Sequence, residues 1–436
     1  MKTDKPETSS ELMEDYDLQP VPPEKRRSWV DLAMIWIGAA IVVSALLRGM
    51  MIGMGLGRLP AVLLAYVLGE GLLIVIMALI GFLGARTGLT TSLLARGAFG
   101  PGGSVLVATA LALTFMGWFG VQAGLFAEAV VSFTGWSVPV SFLTFLSGVV
   151  LMVPAVFGFR GLKALSYAAV PLMLVVFGYA AVKLGGRRLP AEELIELARA
   201  HAPEPYPLTI GAAASIVAGG FVVGAVASAD VFRYARPRFR EILYAATLSM
   251  AVSAGMQAVG SILAMATGCY HERLPDIIIQ PEFAGLGLFG FVAIVFAQWT
   301  NIDLNLYSSV LAANTIIRWT RWKLAVAVGV VSSLLGALGI LSRLGLFLSL
   351  LSVSVGPMGG IILTHYYLVR RRPGRPGQDA WNPVALGAYL LSVAVGWITA
   401  GHPVHIPVFP FSIFAFNGIL ASVLLYGAGM ALFRRE

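Results

Sequence analysis

A tryptophan and a glutamine one helical turn apart are the residues of this chain best suited to bind a small molecule. They lie in the segment GWFGVQ, residues 117–122, in the middle of an apolar run from about 105 to 133. Positions i and i+4 share one face of a helix, so the Trp118 indole and the Gln122 carboxamide point into the same space. This pair suits a planar, polar, uncharged ring. A packed tryptophan with an interhelical hydrogen bond from glutamine has the same signature.

A second polar cluster interrupts the apolar run near 286–316. Its sequence WTNIDLN, residues 299–305, supplies oxygen atoms at Thr300, Asn301 and Asp303, and Asn305 lies one turn beyond Asn301. Hard cations bind clustered oxygen ligands, so this segment could coordinate a coupling ion. Interhelical hydrogen bonding is the alternative explanation for so polar a run in a membrane segment.

Glu70 is an ionisable side chain near the centre of a predicted membrane span. A charge at that depth costs about 2.5 to 3.5 kcal/mol on insertion scales, so its presence requires a reason. The span begins near Leu59, and a rise of about 1.5 Å per residue places Glu70 roughly 16 Å into the membrane. Burial favours the neutral carboxyl, which would allow Glu70 to accept and release a proton during coupling. A structural carboxyl, protonated or paired with arginine, is the alternative.

The composition is that of a polytopic membrane protein. Of 436 residues, 58% are hydrophobic and 12% charged, whereas about 25% are charged in an average soluble domain. Cys269 is the single cysteine, so no internal disulfide forms, and no His or Cys spacing resembles a metal site. The net charge of +8 comes from short basic groups between apolar runs, which indicates membrane topology and not nucleic-acid binding. We expect no cofactor, except a coupling sodium ion if sodium is used, and no obligate protein partner.

Two other classes of membrane protein fit the sequence poorly. An enzyme needs paired acids, a nucleophile with its base, or a metal cluster at one depth, and Glu70 and Asp303 have no histidine beside them in sequence. A channel needs a continuous polar stripe, whereas only the eighth apolar run is polar for part of its length. A transporter is therefore the predicted class.

Twelve apolar runs have the length of membrane helices, which need about 20 residues. Basic residues concentrate in alternate connections, so the positive-inside rule predicts that both termini are cytoplasmic, at the inner membrane. Residues 1–24 are polar and acidic and predict a disordered tail, followed by one transporter domain over 25–436. The external connection 185–207 contains a predicted short amphipathic helix over 190–199. The runs fall near 29–52, 59–83, 105–133, 138–157, 164–184, 208–231, 242–267, 286–316, 322–342, 344–369, 383–400 and 411–433.

Glycines interrupt the first and the sixth span. The first contains WIGAA at 36–40 and GMGLG at 53–57, and the sixth contains AGGFVVG at 218–224. Glycine weakens a helix and exposes its backbone, which lipid excludes unless the broken segment lines a cavity. Interruptions five spans apart are expected of an inverted five-plus-five repeat with its substrate site at the membrane midplane. The alternative is that these glycines only permit close helix packing. The predicted repeats cover about 29–184 and 208–369, and spans eleven and twelve cover about 383–433.

Several short motifs together resemble the nucleobase:cation symporter 1 family, and within it most closely the bacterial cytosine permeases. They are GARTGLTT at 84–91, GWFGV at 117–121, ADVFR at 229–233, WT at 299–300, LY at 306–307, and GPMGG at 356–360 followed by RRR at 370–372. The resemblance covers nearly the whole chain. It implies an all-α, LeuT-like fold of twelve transmembrane helices and inward symport of a nucleobase or related heterocycle with sodium or protons.

The resemblance also implies roles in substrate binding. Trp118 matches a tryptophan that stacks on the substrate ring, and Phe221, beside Gly220, matches an aromatic residue that closes on the other face. Gln122 matches an amide of the hydantoin-transporting branch, whereas cytosine permeases commonly place their glutamine at the position of Phe115.

A cation site is implied in the same way. The family's sodium site uses two hydroxyls, one of which Thr300 supplies, and Asn301 offers a carbonyl oxygen in place of the other. Glu70 keeps proton coupling open as the alternative. The backbone carbonyls of that site correspond here to Gly38, Ala39, Val42 and Ala297.

We therefore predict a symporter that imports a cytosine-like pyrimidine across the inner membrane. Trp118 and Phe221 are expected to stack on the ring, and Gln122 and Asn305 to hydrogen-bond it. The alternatives are hydantoin, allantoin or a thiamine-precursor pyrimidine on the same fold, followed by an amino-acid carrier.

Overall fold

The computed structural model is all-helical over the residues that it describes. These are residue 16 and the ranges 19–153, 159–186, 189–201, 208–269, 274–369, 380–400 and 413–433. The α-helices are α1 Trp29–Ala40, α2 Val43–Leu56, α3 Leu59–Thr87, α4 Thr91–Thr134, α5 Val140–Leu151, α6 Phe159–Leu184, α7 Ala191–His201, α8 Ile210–Val226, α9 Ala229–Phe232, α10 Phe239–Thr267, α11 Leu274–Ile279, α12 Gly287–Asn314, α13 Arg321–Ala337, α14 Leu344–Thr364, α15 Pro383–Thr399 and α16 Phe414–Phe433.

Helices long and apolar enough to cross a membrane make up most of the fold. Over the described ranges seven helices meet that standard, or eight if the bent pair α1–α2 is counted as one span. The shorter apolar helices include α5 and α15. Each of the twelve predicted runs contains an α-helix, but α13, in the run at 322–342, belongs to neither group, and the number of helices that cross the bilayer stays a prediction. Helix α7 lies where the short amphipathic helix was expected.

The first span is broken, as the sequence predicted. Helices α1 and α2 meet at an angle of 57°, with Ile41 and Val42 between them in non-helical and extended backbone. The glycines at 53–57 do not form the break, because α2 continues to Leu56 and ends where Gly57 takes the left-handed conformation at φ 61°.

The predicted break at the glycines of the sixth span is wrong. Helix α8 runs without interruption through Gly219, Gly220 and Gly224, and the chain leaves it only at Ala227. The physical reason is close packing, since a Cβ at Gly219 would overlap the Ser352 hydroxyl of α14. These glycines therefore make room for neighbouring side chains and do not open the helix backbone.

Helix pairs in close contact hold the centre of the bundle. Helix α4 packs along α12, where Ser309 Oγ donates to the Ala112 carbonyl oxygen at 3.0 Å. Helix α2 packs along α10, and α3 packs along α8. In the α2–α10 pair, Gly49 lies against the Gln257 backbone, so no side chain fits there. These contacts place α1, α2, α4, α8 and α12 around one central space.

The segment before α1 is ordered, which corrects part of the predicted disordered tail. Val21 is buried, and its backbone N–H donates to the Gly88 carbonyl oxygen at 3.1 Å. Arg26 Nη1 donates to the carbonyl oxygens of Ala85 at 2.8 Å and Ala235 at 2.9 Å. An apolar anchor and an arginine thus fix residues 19–27 across the helix ends. Residues 1–15, 17 and 18 lie outside the described ranges.

Arg233 organises the same end of the bundle, which the sequence predicts to be cytoplasmic. The side chain is fully buried. Its Nε donates to the Asp230 carbonyl oxygen at 3.0 Å, and its Nη1 donates to the Tyr16 carbonyl oxygen at 2.6 Å. Its Nη2 lies 3.2 Å from the Tyr307 hydroxyl oxygen. This arginine ties the N-terminal segment to the turn after α9 and to α12.

Candidate functional site

A cavity lies beside the break in the first span, between that break and helices α4, α8 and α12. It is bounded by backbone and side chains of four separate parts of the sequence, which the helix packing brings together. The lining residues are Trp36, Ala39, Val42, Ser44, Arg48, Phe115, Trp118, Gln122, Gly220, Phe221, Val223, Gly224, Asn301, Leu304, Asn305 and Ser308.

Helical spacing explains which side chains reach the cavity. On α4 the lining positions are 115, 118 and 122, and on α12 they are 301, 304, 305 and 308. Steps of three and four residues keep these positions on one face of each helix. The 57° bend after α1 allows residues from both halves of the first span, among them Trp36 and Arg48, to line the same space.

Aromatic side chains form two walls of the cavity. The Trp118 ring meets Phe347 edge-to-face, with centroids 5.4 Å apart and an interplanar angle of 70°. The Trp36 ring meets Phe221 edge-to-face at 5.8 Å and 64°. The rings of Trp36, Trp118 and Phe221 are thus each held by an aromatic contact, which leaves less freedom to be lost when a ligand binds.

Several polar atoms of the lining residues are buried without a hydrogen-bond partner in the described part of the chain. They are the indole Nε1 atoms of Trp36 and Trp118, Gln122 Oε1 and Arg48 Nε. The other end of the Gln122 amide is engaged, since Nε2 donates to Ser44 Oγ at 3.3 Å. A buried polar atom without a partner is unfavourable, so these atoms indicate a polar ligand.

The predicted cation ligands lie together at the break, and Ala39, Val42 and Asn301 of this set also line the cavity. Thr300 Oγ1 is 3.0 Å from the Ala297 carbonyl oxygen and 3.4 Å from the Gly38 carbonyl oxygen. Asn301 Nδ2 donates to the carbonyl oxygens of Gly38 at 3.3 Å and Ala39 at 3.2 Å. Helix α12 is therefore joined directly to the last turn of α1.

Glu70 and Asp303 lie outside the set of lining residues. Glu70 is buried on α3, where its Oε1 accepts hydrogen bonds from Ser253 Oγ and Gln257 Nε2, both at 2.7 Å. Its charge is close enough to act on Arg48. Asp303 is fully buried on α12, two positions from Asn301 and so on a different face of the helix. Neither acid belongs to the Thr300–Asn301 cluster through a described hydrogen bond.

The sequence matches one family over nearly its whole length. The matching family model is described as a permease for cytosine/purines, uracil, thiamine and allantoin, and it covers residues 20–420. The chain belongs to this family. The resemblance drawn from the short motifs is thereby confirmed, and so is the prediction of a transporter and not an enzyme.

Individual relatives agree with this assignment. The chain is 31% identical over 413 residues to the cytosine permease of Escherichia coli strain K12, covering 93% of this chain and 92% of that one. It is 25% identical over 404 residues to the hydantoin permease of Microbacterium maritypicum, covering 84% and 81%. Among solved structures it resembles Mhp1, a nucleobase-cation-symport-1 family transporter in a closed conformation with bromovinylhydantoin bound. The TM-score is 0.77 at 21% identity, covering 97% and 96%, which shows a shared helical fold.

Seven lining residues of this permease were not among the predicted site residues, namely Trp36, Ser44, Arg48, Val223, Gly224, Leu304 and Ser308. A signal for Arg48 was present in the sequence, because an arginine within the first apolar run is an ionisable group at membrane depth. Ser308 follows Asn301 and Asn305 on the same helical face. Trp36 and Ser44 carried no signal of their own, since their place depends on where the first span breaks.

Proposed function

We propose that this permease is a secondary active symporter that imports a nucleobase-like heterocycle through the central cavity. The ring would stack on Trp118 and Phe221, with Gln122 and Asn305 as hydrogen-bonding partners and Gly220 leaving room beside it. The observation that carries the proposal is the combination of aromatic walls with unpartnered polar atoms at Gln122 and the indoles. A ligand with a flat apolar face and polar edges is complementary to such a cavity.

A cytosine-like pyrimidine is the first candidate substrate, supported by the relative from Escherichia coli. Hydantoin, allantoin or a thiamine-precursor pyrimidine is the second. The position of the amide favours this second group, because Gln122 and Phe115 both line the cavity and only the former can hydrogen-bond a ring. A free amino acid fits less well, since among the described lining residues no carboxylate faces its ammonium group.

The membrane arrangement that we propose has twelve spans, with both termini in the cytoplasm and the protein in the inner membrane. Spans one to five and six to ten would form the inverted repeat. The helix contacts support this, because the α2–α10 pair joins span one to span seven and the α3–α8 pair joins span two to span six. A two-fold relation between the repeats exchanges these two pairs.

For the coupling ion we favour the proton over sodium. The Asn301 amide nitrogen already donates to the Gly38 and Ala39 carbonyl oxygens, which a sodium ion would need as ligands. A sodium ion there would require this amide to turn, so that its oxygen atom and not its NH₂ group faces the ion. Glu70 is the proposed proton carrier, and Asp303 is the second candidate.

The stacking role is tested by Trp118→Ala in proteoliposomes, using uptake of radiolabelled cytosine, uracil or hydantoin. Loss of one stacked ring is expected to reduce uptake of the transported compound by about tenfold or more. Trp136→Ala is the matched control, because Trp136 is exposed and lies outside the cavity. Equal uptake by the two variants would exclude stacking on Trp118.

A further inference from the structure

Arg48 is a buried cation in the wall of the substrate cavity. It lies in the second turn of α2 and only 2% of its surface is exposed. Every other described lining residue is apolar or carries a neutral polar side chain. Arg48 is therefore the one charged group among the described lining residues, and burial makes its field stronger than it would be in water.

The described residues satisfy the Arg48 guanidinium incompletely. Its Nε is buried without a hydrogen-bond partner, and among the described residues no ion pair within 4.0 Å joins it to an acid. Glu70 acts on it electrostatically, but the described hydrogen bonds of that carboxylate come from Ser253 and Gln257. Burying an incompletely paired charge is costly, so its retention needs a compensating partner.

Gly220 makes room for this guanidinium on the facing helix. A Cβ at position 220 would overlap Arg48 Nε, Cδ and Cζ. Arg48 therefore lies close to α8 at Gly220, and Gly220 and Phe221 line the same cavity as the arginine does. The fold thus accommodates the cation in the wall of the cavity that also contains Trp118 and Phe221.

We propose that the transported ring carries a negative charge, on a ring carboxylate or on a deprotonated ring, and that Arg48 binds this anionic group. The inference rests on the proposed function, because it places the substrate in the same cavity. A guanidinium presents donors in a planar fork that matches a carboxylate, and such charge-assisted pairs are stronger than neutral ones. This charged ring replaces the uncharged ring that the Trp118–Gln122 pair alone indicated.

The competing explanation is that Arg48 serves only as a counter-charge for Glu70. In that case the loss of Arg48 would weaken the binding of every ring alike, or would only destabilise the protein. Direct substrate binding instead predicts an effect that depends on the charge of the ring. Uracil and orotate separate the two explanations, because they share a ring and orotate adds a carboxylate that is ionised at neutral pH. Barbiturate carries its charge on the ring itself.

The experiment measures equilibrium binding of uracil, orotate and barbiturate to the purified full chain in detergent. At least one of the two anions should bind the natural protein about tenfold more tightly than uracil, or tighter still. The anion that binds more tightly shows whether the site prefers a ring carboxylate or a charge on the ring itself. Arg48→Gln should weaken binding of that anion by about 10- to 100-fold and change uracil binding little. Arg48→Lys should keep the preference for the anion in part. Arg58→Gln is the control, since it removes the same charge from an exposed position.

Each outcome decides one question. If uracil binds the natural protein as tightly as both anions do, the inference is overturned and the proposed function stays intact. This measurement uses the natural protein alone, so it does not depend on the folding of a variant. An unchanged preference in Arg48→Gln also overturns it. If none of these rings, nor cytosine or hydantoin, binds the natural protein, the proposed function itself fails.

Discussion

Arg48 and Arg233 are both buried in the helix bundle, but their surroundings differ. Arg233 donates hydrogen bonds to the carbonyl oxygens of Asp230 and Tyr16 and reaches the Tyr307 hydroxyl. Arg48 lines a cavity with its Nε unpartnered in the described part of the chain. The protein thus supplies the hydrogen-bond partners of Arg233, which is expected of a structural arginine. It leaves the hydrogen bonding of Arg48 incomplete, which is expected of a residue that binds a ligand.

The largest effect that the comparison predicts is on stability. Arg233→Leu should lower the free energy of unfolding by about 3 kcal/mol or more, because hydrogen bonds to a charged group contribute about 1.5 to 3 kcal/mol each and their buried acceptors would be left unpaired. Thermal unfolding in detergent measures this loss. Arg240→Leu is the matched control, because Arg240 is exposed at the same end of the helix bundle. Equal stability of the two variants would mean that Arg233 is not structural.

A smaller change in stability is expected when Arg48 is replaced. Arg48→Met should change the unfolding free energy of the ligand-free protein by less than about 1 kcal/mol, or raise it, since it removes the cost of burying a charge whose Nε has no described hydrogen bond to lose. The same unfolding assay, without substrate, checks this. A loss as large as that of Arg233→Leu would erase the distinction between the two arginines.

Much of the cavity follows from helical spacing alone. Trp118 and Gln122 share a face because they lie four residues apart, and Asn301 and Asn305 repeat that spacing on α12. The structure brings these side chains to one cavity, while their role in binding stays a proposal.

The position of the helix break did not follow from the sequence. The break lies at Ile41 and Val42, which are apolar, β-branched residues. The conspicuous glycines serve close packing instead, as Gly219 does against Ser352. Such contacts are made between distant parts of the chain, so no local pattern reveals them. Arg48 did carry a signal, as an arginine within the first apolar run, but its place in the cavity depends on the 57° bend.

The most direct test of the central claim is the thermal unfolding temperature of the purified chain with a panel of ligands, in sodium and in potassium buffers. The panel contains cytosine, uracil, orotate, hydantoin, a thiamine-precursor pyrimidine and neutral amino acids. A ligand that binds the native state raises this temperature according to its occupancy. We expect at least one heterocycle to raise this temperature, equally in both salts, and Trp118→Ala to abolish the shift. Protection by an amino acid with no shift from any ring would show that the cavity does not bind a heterocycle.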